Sequence, residues 1–195
     1  SRIRECFESI PKQLAKENKK FQYNQVKQGG RSETYLGSLQ WLEDAGIICR
    51  CYNTDITGLP MKGNAKDNVF KVYVTDIGLL IEMLGTGTRT DILQGNLGGF
   101  KGAIFENLMA DTLHKKAQSL YYFQKDSGLE LDFLVRVNGE CMPLEVKAKS
   151  SKAKSVKTVL AHPEKYQVYQ IIKFGDYNIG REGNLLTLPT YMQFL

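Results

Sequence analysis

The stretch LELDFLVRVNGECMPLEVKAK, residues 129–149, decides which fold this chain can adopt. Two runs of alternating residues flank Asn138 and Gly139, a pair that favours the tight type I′ turn of a β-hairpin because both central positions need positive φ. Counting back along both strands from a two-residue loop sets Asp132 opposite Glu145. The sequence therefore predicts a hairpin that brings two carboxylates side by side.

The charged residues of this hairpin have two interpretations. Alternation predicts a polar face that carries Glu130, Asp132, Glu145 and Lys147. One interpretation is a solvated face with a Glu130–Lys147 ion pair, worth about 0–1 kcal/mol. The other is a metal site, because adjacent carboxylates are oxygen ligands for Mg²⁺ and a nearby lysine can orient or help deprotonate an attacking water.

A third carboxylate comes from the helical stretch GFKGAIFENLMADTLHKK. Glu106 lies at the edge of its apolar stripe, in a half-buried location. An unpaired buried carboxylate is costly, so we expect a metal or a base as its partner. The alternative is a surface glutamate whose stem lies along the apolar face.

The second half of the chain predicts the element order α-β-β-β-α-β, with a mixed sheet flanked by helices. The tail NLLTLPTYMQFL is expected to pack on the outside. These elements are a helix at about 99–117, strands at 119–124, 129–137 and 140–148, a helix at about 151–161 and a strand at 167–174.

The first half predicts three helices followed by a two-stranded wing, which is a winged-helix pattern. The helices are expected at about 3–17, 23–28 and 32–46, and the strands at 47–53 and 68–76. The third helix is acidic, with Arg31 just before it, so the fold could equally serve as a protein adaptor.

The glycine-rich segment 85–99 has little periodic hydrophobicity and is interpreted as a linker. The boundary is placed near Gly95, which gives a winged-helix domain with linker at 1–95 and a second domain at 96–195. No G-K-[ST] follows these glycines, so the chain contains no ATP-binding loop.

Composition excludes several classes of protein. The chain has 195 residues, 42% of them hydrophobic, and a net charge of +5, as expected of a soluble globular protein with a mild tilt toward polyanions. It has neither a run of about 18 apolar residues nor the apolar block of a signal peptide, so no membrane partner is expected and a cytoplasmic location is the default. Four scattered cysteines lack zinc-finger spacing. The start at Ser1 suggests a fragment of something longer.

Taken together, these residues resemble the PD-(D/E)XK superfamily of restriction-endonuclease-like folds. That signature has an acid on the first helix, an aspartate on a strand and (D/E)-x-K on the next strand. The matching residues are Glu106, Asp132, Glu145 and Lys147, and Leu131 stands where the signature has proline. The resemblance implies hydrolysis of a phosphodiester in nucleic acid with Mg²⁺ or Mn²⁺ as cofactor.

The same resemblance implies a role for each residue. Asp132 and Glu145 would bind the metal, Glu106 would hold it directly or through water, and Lys147 would position the nucleophile. Glu130 could tune Lys147 or join the ligands of the metal.

A lysine-rich segment follows the hairpin. KAKSSKAKSVK, residues 147–157, contains five lysines, of which Lys149, Lys152 and Lys154, together with Arg31, are candidates for contacting nucleic-acid phosphates. A solvated helix face is the alternative.

Nearly the whole chain also resembles the C-terminal region of a large prokaryotic group of AAA-type ATPases. The segments that carry this are ETYLGSLQWLEDAGII, VYVTDIGLL, FKGAIFENLMADTL, LYYFQKDSGLELDFLV and PLEVKAK. It implies that the partner is the protein's own ATPase domain and that ATP binds only in that missing N-terminal segment. The alternative to a nuclease is a non-catalytic module that binds nucleic acid or another protein for the ATPase.

Overall fold

The computed structural model describes residues 1–16, 19–148 and 153–194. Its helices are α1 (Arg2–Leu14), α2 (Tyr23–Val26), α3 (Ser32–Asp44), α4 (Ile77–Met83), α5 (Thr88–Leu93), α6 (Lys101–Lys115), α7 (Lys154–Leu160) and α8 (Pro163–Tyr166). Its strands are β1 (Ile48–Thr54), β2 (Ala65–Val74), β3 (Leu120–Gln124), β4 (Glu130–Val137), β5 (Glu140–Lys147), β6 (Ile171–Gly175), β7 (Gly180–Glu182) and β8 (Leu185–Pro189).

All the described strands belong to one mixed sheet with the order β2-β1-β3-β4-β5-β6-β8-β7. The pairs β1–β3, β5–β6 and β6–β8 are parallel, and the other neighbours are antiparallel. The predicted combination of helices with a mixed sheet is confirmed. No described helix is long and apolar enough to cross a bilayer.

The first half contains the predicted helices and an antiparallel β1–β2 hairpin. This hairpin is not a free wing, because β1 also pairs in parallel with β3, from Cys51 opposite Leu120 to Thr54 opposite Phe123. The glycine-rich segment holds the short helix α5. The winged-helix assignment and the boundary near Gly95 stay predictions, and the sheet crosses that boundary.

The second half follows the predicted order, from α6 through β3, β4, β5 and α7 to β6. The expectation for the tail was wrong. Leu185–Pro189 forms β8, which pairs in parallel with β6 and so extends the sheet instead of packing outside it. Leu188 packs against the first apolar cluster of the core and Leu185 against the second, so apolar residues lie on both faces of this strand.

The hairpin register is confirmed over the described pairs. Asn138 and Gly139 have φ of 50° and 84°, as a type I′ turn requires. Val137 pairs with Glu140 and Leu134 pairs with Pro143. The same step, continued down both strands, leads to Asp132 and Glu145.

A β-bulge interrupts the other edge of β4. Tyr121 pairs with Leu134, whereas Phe123 pairs with Leu131, so β4 carries one residue more than β3 in this interval. Asp132 lies within the interval. Bulges redirect side chains and are common beside functional sites.

The sheet is buried on both faces, which the alternation of polar and apolar residues did not predict. Phe133 and Val135 pack in one apolar cluster with residues of α1, α3 and α6, including Leu39. Leu131 and Leu134 pack in a second cluster with residues of α7. Of the two interpretations of the hairpin charges, the solvated face is therefore wrong, since central strands covered by helices on both sides have no solvated face. All four cysteines are free and buried, as expected.

Candidate active site

Three buried carboxylates, Glu106, Asp132 and Glu145, form what we call the carboxylate cluster. Their side chains come from α6, β4 and β5, and the residues are 3%, 8% and 3% exposed. Burial raises the pKa of Asp132 and of Glu145, and the negative charge of Glu106 adds to both shifts. The structure thus brings together the three acids that the sequence singled out.

Glu106 is held by three groups from the first half of the chain. The ammonium of Lys71 lies 3.1 Å from its Oε1, and the Tyr73 hydroxyl donates to the same oxygen. The ammonium of Lys19 pairs with Oε2. Burial by itself would raise the pKa of Glu106, but Lys71 and Lys19 hold it well below its usual range. The expected partner of Glu106 is therefore a base, and both of its oxygens are engaged.

Lys71 lies at the centre of this arrangement with only 2% of its side chain exposed. Its ammonium also lies 2.6 Å from Oε1 of Glu130 and 4.7 Å from the centre of the Tyr122 ring. Burial lowers the pKa of Lys71, yet Glu106 and Glu130 outweigh this and raise it well above its usual value. Lys71 is consequently a permanent positive charge inside the protein.

Local pairing of the backbone positions these lysines. The segment before α2 joins β2 through a bridge between Lys20 and Lys71, and the Phe21 N–H donates to the carbonyl of Phe70 at 2.8 Å. This contact carries Lys19 to Glu106. Asn107 fixes the other side, since its amide accepts from Val74 N–H at 2.9 Å and donates to the Val74 carbonyl at 2.8 Å.

Sequence reasoning missed Lys71, Tyr73 and Lys19. One signal was present, because Lys71 interrupts the apolar run VFKVYV of a strand. A lysine at such a position must find a carboxylate or reach solvent. Glu130 was expected to face Lys147, but it contacts Lys71 and accepts from Gln124 at 2.9 Å.

Glu145 differs from Glu106 in having one unsatisfied oxygen. Its Oε1 lies 2.5 Å from the Lys147 ammonium, whereas its buried Oε2 has no hydrogen-bond partner among the described residues. Burial and the charge of Asp132 raise the pKa of Glu145 to about 8. Asp132 accepts from the Val146 N–H at 2.8 Å, and burial followed by the charge of Glu106 raises its pKa as well.

The residues fit a cation held by two carboxylates better than one held by three. Within the described ranges, no group of three His, Cys, Asp or Glu side chains is arranged to hold a metal ion. Glu106 already has strong cationic partners. Asp132 and Glu145, with raised pKa values and a buried unpaired oxygen, supply hard ligands of the type that Mg²⁺ prefers.

Of the residues expected to contact nucleic acid, the structure describes Arg31 and Lys154, which lie at the starts of two different helices. Arg31 is exposed and precedes α3, which packs on α1 and β1. Lys154 is exposed at the start of α7, next to Ser155, whose hydroxyl accepts from the Glu130 N–H at 3.2 Å. Lys149 and Lys152 lie outside the described residues. Lys154 therefore begins the helix that contacts the backbone of Glu130, and Arg31 precedes a different helix.

Comparison with known proteins gives two family matches. Residues 1–90 match the model described as domain of unknown function DUF8612, and residues 101–191 match domain of unknown function DUF4143. No curated protein and no solved structure matches the chain significantly. DUF4143 is a domain found C-terminal to AAA ATPases. The second half of this chain is thus similar to a domain that accompanies an ATPase, in agreement with the resemblance noted from its sequence.

Proposed function

We propose that the carboxylate cluster is a divalent-cation site for phosphodiester hydrolysis of nucleic acid, in the C-terminal module of an AAA-type ATPase. The supporting observation is the buried, unpartnered Oε2 of Glu145 beside Asp132. A buried carboxylate oxygen without a partner costs several kcal/mol unless something positive approaches it. A PD-(D/E)XK-like role for the second half and a winged-helix role for the first half belong to the same proposal.

The electrostatics favour a cation at this position. Glu145 is mostly protonated at neutral pH when no cation is present, because burial and Asp132 raise its pKa to about 8. Neighbouring carboxylates of like charge oppose each other's ionisation. Mg²⁺ or Mn²⁺ would remove this opposition and leave both acids ionised.

The chain's own residues would divide the chemistry among them. Asp132 and Glu145 would hold the cation, which when bound supplies Lewis acidity and lowers the pKa of a water. Burial lowers the pKa of Lys147, but Asp132 and Glu145 outweigh this and raise it above its usual range. Lys147 therefore stays protonated, and its role is to orient the nucleophile and stabilise charge on a phosphate oxygen, not to accept a proton.

The flanks of the site suit a polyanion. Lys147 keeps 30% of its side chain exposed, so one edge of the buried cluster opens toward solvent. Lys154 lies on the helix that contacts Glu130 through Ser155. Phosphate contacts by lysines position a nucleic acid without reading its sequence.

One observation favours a second candidate, a non-catalytic module that binds nucleic acid or a protein for the ATPase. Asp132 and Glu145 are 8% and 3% exposed, which leaves little room for a phosphate to approach them. In that case the acids and lysines would maintain the fold, and binding would use exposed residues such as Arg31 and Lys154.

Calorimetric titration of Mn²⁺ into the wild type and Asp132→Asn tests the proposal, with cleavage of single- and double-stranded DNA and RNA followed in the same buffers. The control is Glu140→Gln, which removes an exposed acid from the same hairpin. We expect binding and cleavage in the wild type and control and neither in Asp132→Asn.

Cleavage that persists in Asp132→Asn would refute the proposed site. Absence of metal binding in a folded wild type would refute cation dependence. DNA binding that falls with salt and survives Asp132→Asn, without any cleavage, would establish the non-catalytic candidate.

A further inference from the structure

We infer that Lys71, supported by Lys19, takes the place of a second metal ion in the carboxylate cluster. The inference builds on the proposed cation site and concerns the number of ions that the site can hold. It assigns to the first half of the chain a part in the chemistry of the second half.

Lys71 occupies the position of a cation that bridges two carboxylates. Its ammonium lies between two carboxylates, 3.1 Å from Glu106 Oε1 and 2.6 Å from Glu130 Oε1. A bridging cation in a two-metal site likewise contacts carboxylates from separate elements. Here the elements are α6 and β4, and the bridging charge belongs to a side chain of β2.

The charges of the cluster nearly cancel without a second metal ion. Glu106, Glu130, Asp132 and Glu145 interact with three ammonium groups, from Lys19, Lys71 and Lys147. With every group ionised, one negative charge remains. A single divalent cation would bring the sum to +1, whereas two would bring it to +3, an excess of positive charge that is costly in a buried place.

Both oxygens of Glu106 are already occupied by groups of the protein. Glu106 Oε1 accepts from Tyr73 and pairs with Lys71, and Oε2 pairs with Lys19. These contacts leave Glu106 oriented toward the lysines. The only buried carboxylate oxygen without a partner among the described residues of the cluster is Oε2 of Glu145. This single unpartnered oxygen is the place where one metal ion would bind.

Lys71 also makes the site depend on both halves. Lys71 lies on β2, and Lys19 lies in the segment that is bridged to β2. The positive charge beside the carboxylate cluster therefore depends on how the first half packs against the second. We classify Lys71 as a positioning residue, because it acts on the cation and on substrate through the carboxylates.

The test is Mn²⁺ binding to the whole chain, measured by calorimetry and by electron paramagnetic resonance, in the wild type, Lys71→Met and Lys71→Arg. Methionine keeps the stem and removes the charge, and arginine keeps the charge. We expect Lys71→Met to bind Mn²⁺ at least about tenfold more tightly or to take up a second ion, because a nearby positive charge has been removed. Lys71→Arg should restore the behaviour of the wild type, which a loss of packing alone would not explain.

Lys19→Gln covers the case in which Lys71→Met does not fold. Lys19 keeps 19% of its side chain exposed, so its removal is easier to tolerate. We expect Lys19→Gln to bind Mn²⁺ severalfold more tightly than the wild type. A folded Lys71→Met, or failing that Lys19→Gln, with wild-type affinity and stoichiometry would overturn the inference.

The outcomes separate this inference from the proposed function. If the wild type binds one ion and Lys71→Met behaves identically, the inference fails and the proposed cation site stands. If the wild type binds none and Lys71→Met binds Mn²⁺, the lysine does replace an ion and cation-dependent cleavage by the wild type is refuted. If no variant binds Mn²⁺, both fail.

Discussion

Replacing Glu106 by glutamine removes the anion on which the buried lysines depend. Glu106 is 3% exposed and pairs with Lys71, whose side chain is 2% exposed, and with Lys19. Breaking a buried ion pair from one side typically costs about 3–5 kcal/mol, because the remaining charge is left without its partner. Because Lys71 keeps its ion pair with Glu130, we expect a loss of stability at the lower end of this range, about 3 kcal/mol.

Urea unfolding followed by circular dichroism measures this loss, and for a chain of this size it corresponds to a fall in Tm of roughly 6–12 °C. Glu82→Gln is the matched control, because Glu82 is an exposed helical glutamate. The pKa of Glu106 is lowered in the folded protein, so its contribution exists above the unfolded pKa and is lost as pH falls. The difference in free energy of unfolding between the wild type and Glu106→Gln should therefore become smaller at acid pH. A loss below about 1 kcal/mol at neutral pH would refute the view that the ion pairs hold Lys71.

Three further predictions concern single contacts. Because burial raises the pKa of Glu145 to about 8, the folded protein binds an extra proton between about pH 5 and 8 and should lose stability as pH rises through that range. Glu145→Gln should flatten this dependence in urea titrations without metal, and an unchanged slope would contradict it. Gly175→Ala should destabilise the protein by about 1–3 kcal/mol in thermal unfolding, since its Cβ would meet the Lys147 carbonyl oxygen at 2.6 Å, and a neutral result would refute that close approach. Asn107→Ala should cost about 2–3 kcal/mol by leaving both backbone groups of Val74 unpaired, whereas wild-type protection of that amide in hydrogen exchange would argue against it.

Local chemistry explains why the hairpin was predictable. Asn138 and Gly139 determine the turn, the turn determines the register, and Leu134 duly lies opposite Pro143. The helix that carries Glu106 follows from apolar spacing alone. The register alone pairs Asp132 with Glu145, whereas the convergence of Glu106 with them was implied by the resemblance to the PD-(D/E)XK pattern.

The features that escaped prediction depend on contacts between distant parts of the chain. The parallel pairing of β1 with β3 joins Cys51 to Leu120, and no local pattern encodes it. The same holds for Lys71, whose partner Glu106 lies 35 residues away. The bulge beside Asp132 arises from pairing with β3, and a strand read alone shows only its alternation. Helices on both faces then bury the polar face for which alternation alone left a solvated interpretation open.

The shared sheet also affects how this protein can be divided for experiment. β1 and β3 are neighbours in the sheet, yet they lie on opposite sides of Gly95. If the two halves were expressed separately, β1 and β3 would each lose a neighbouring strand. Each would then be an exposed edge strand with unpaired backbone N–H and C=O groups. Such edges recruit other chains, so the separated pieces should aggregate, while mixing them during refolding should recover a soluble complex.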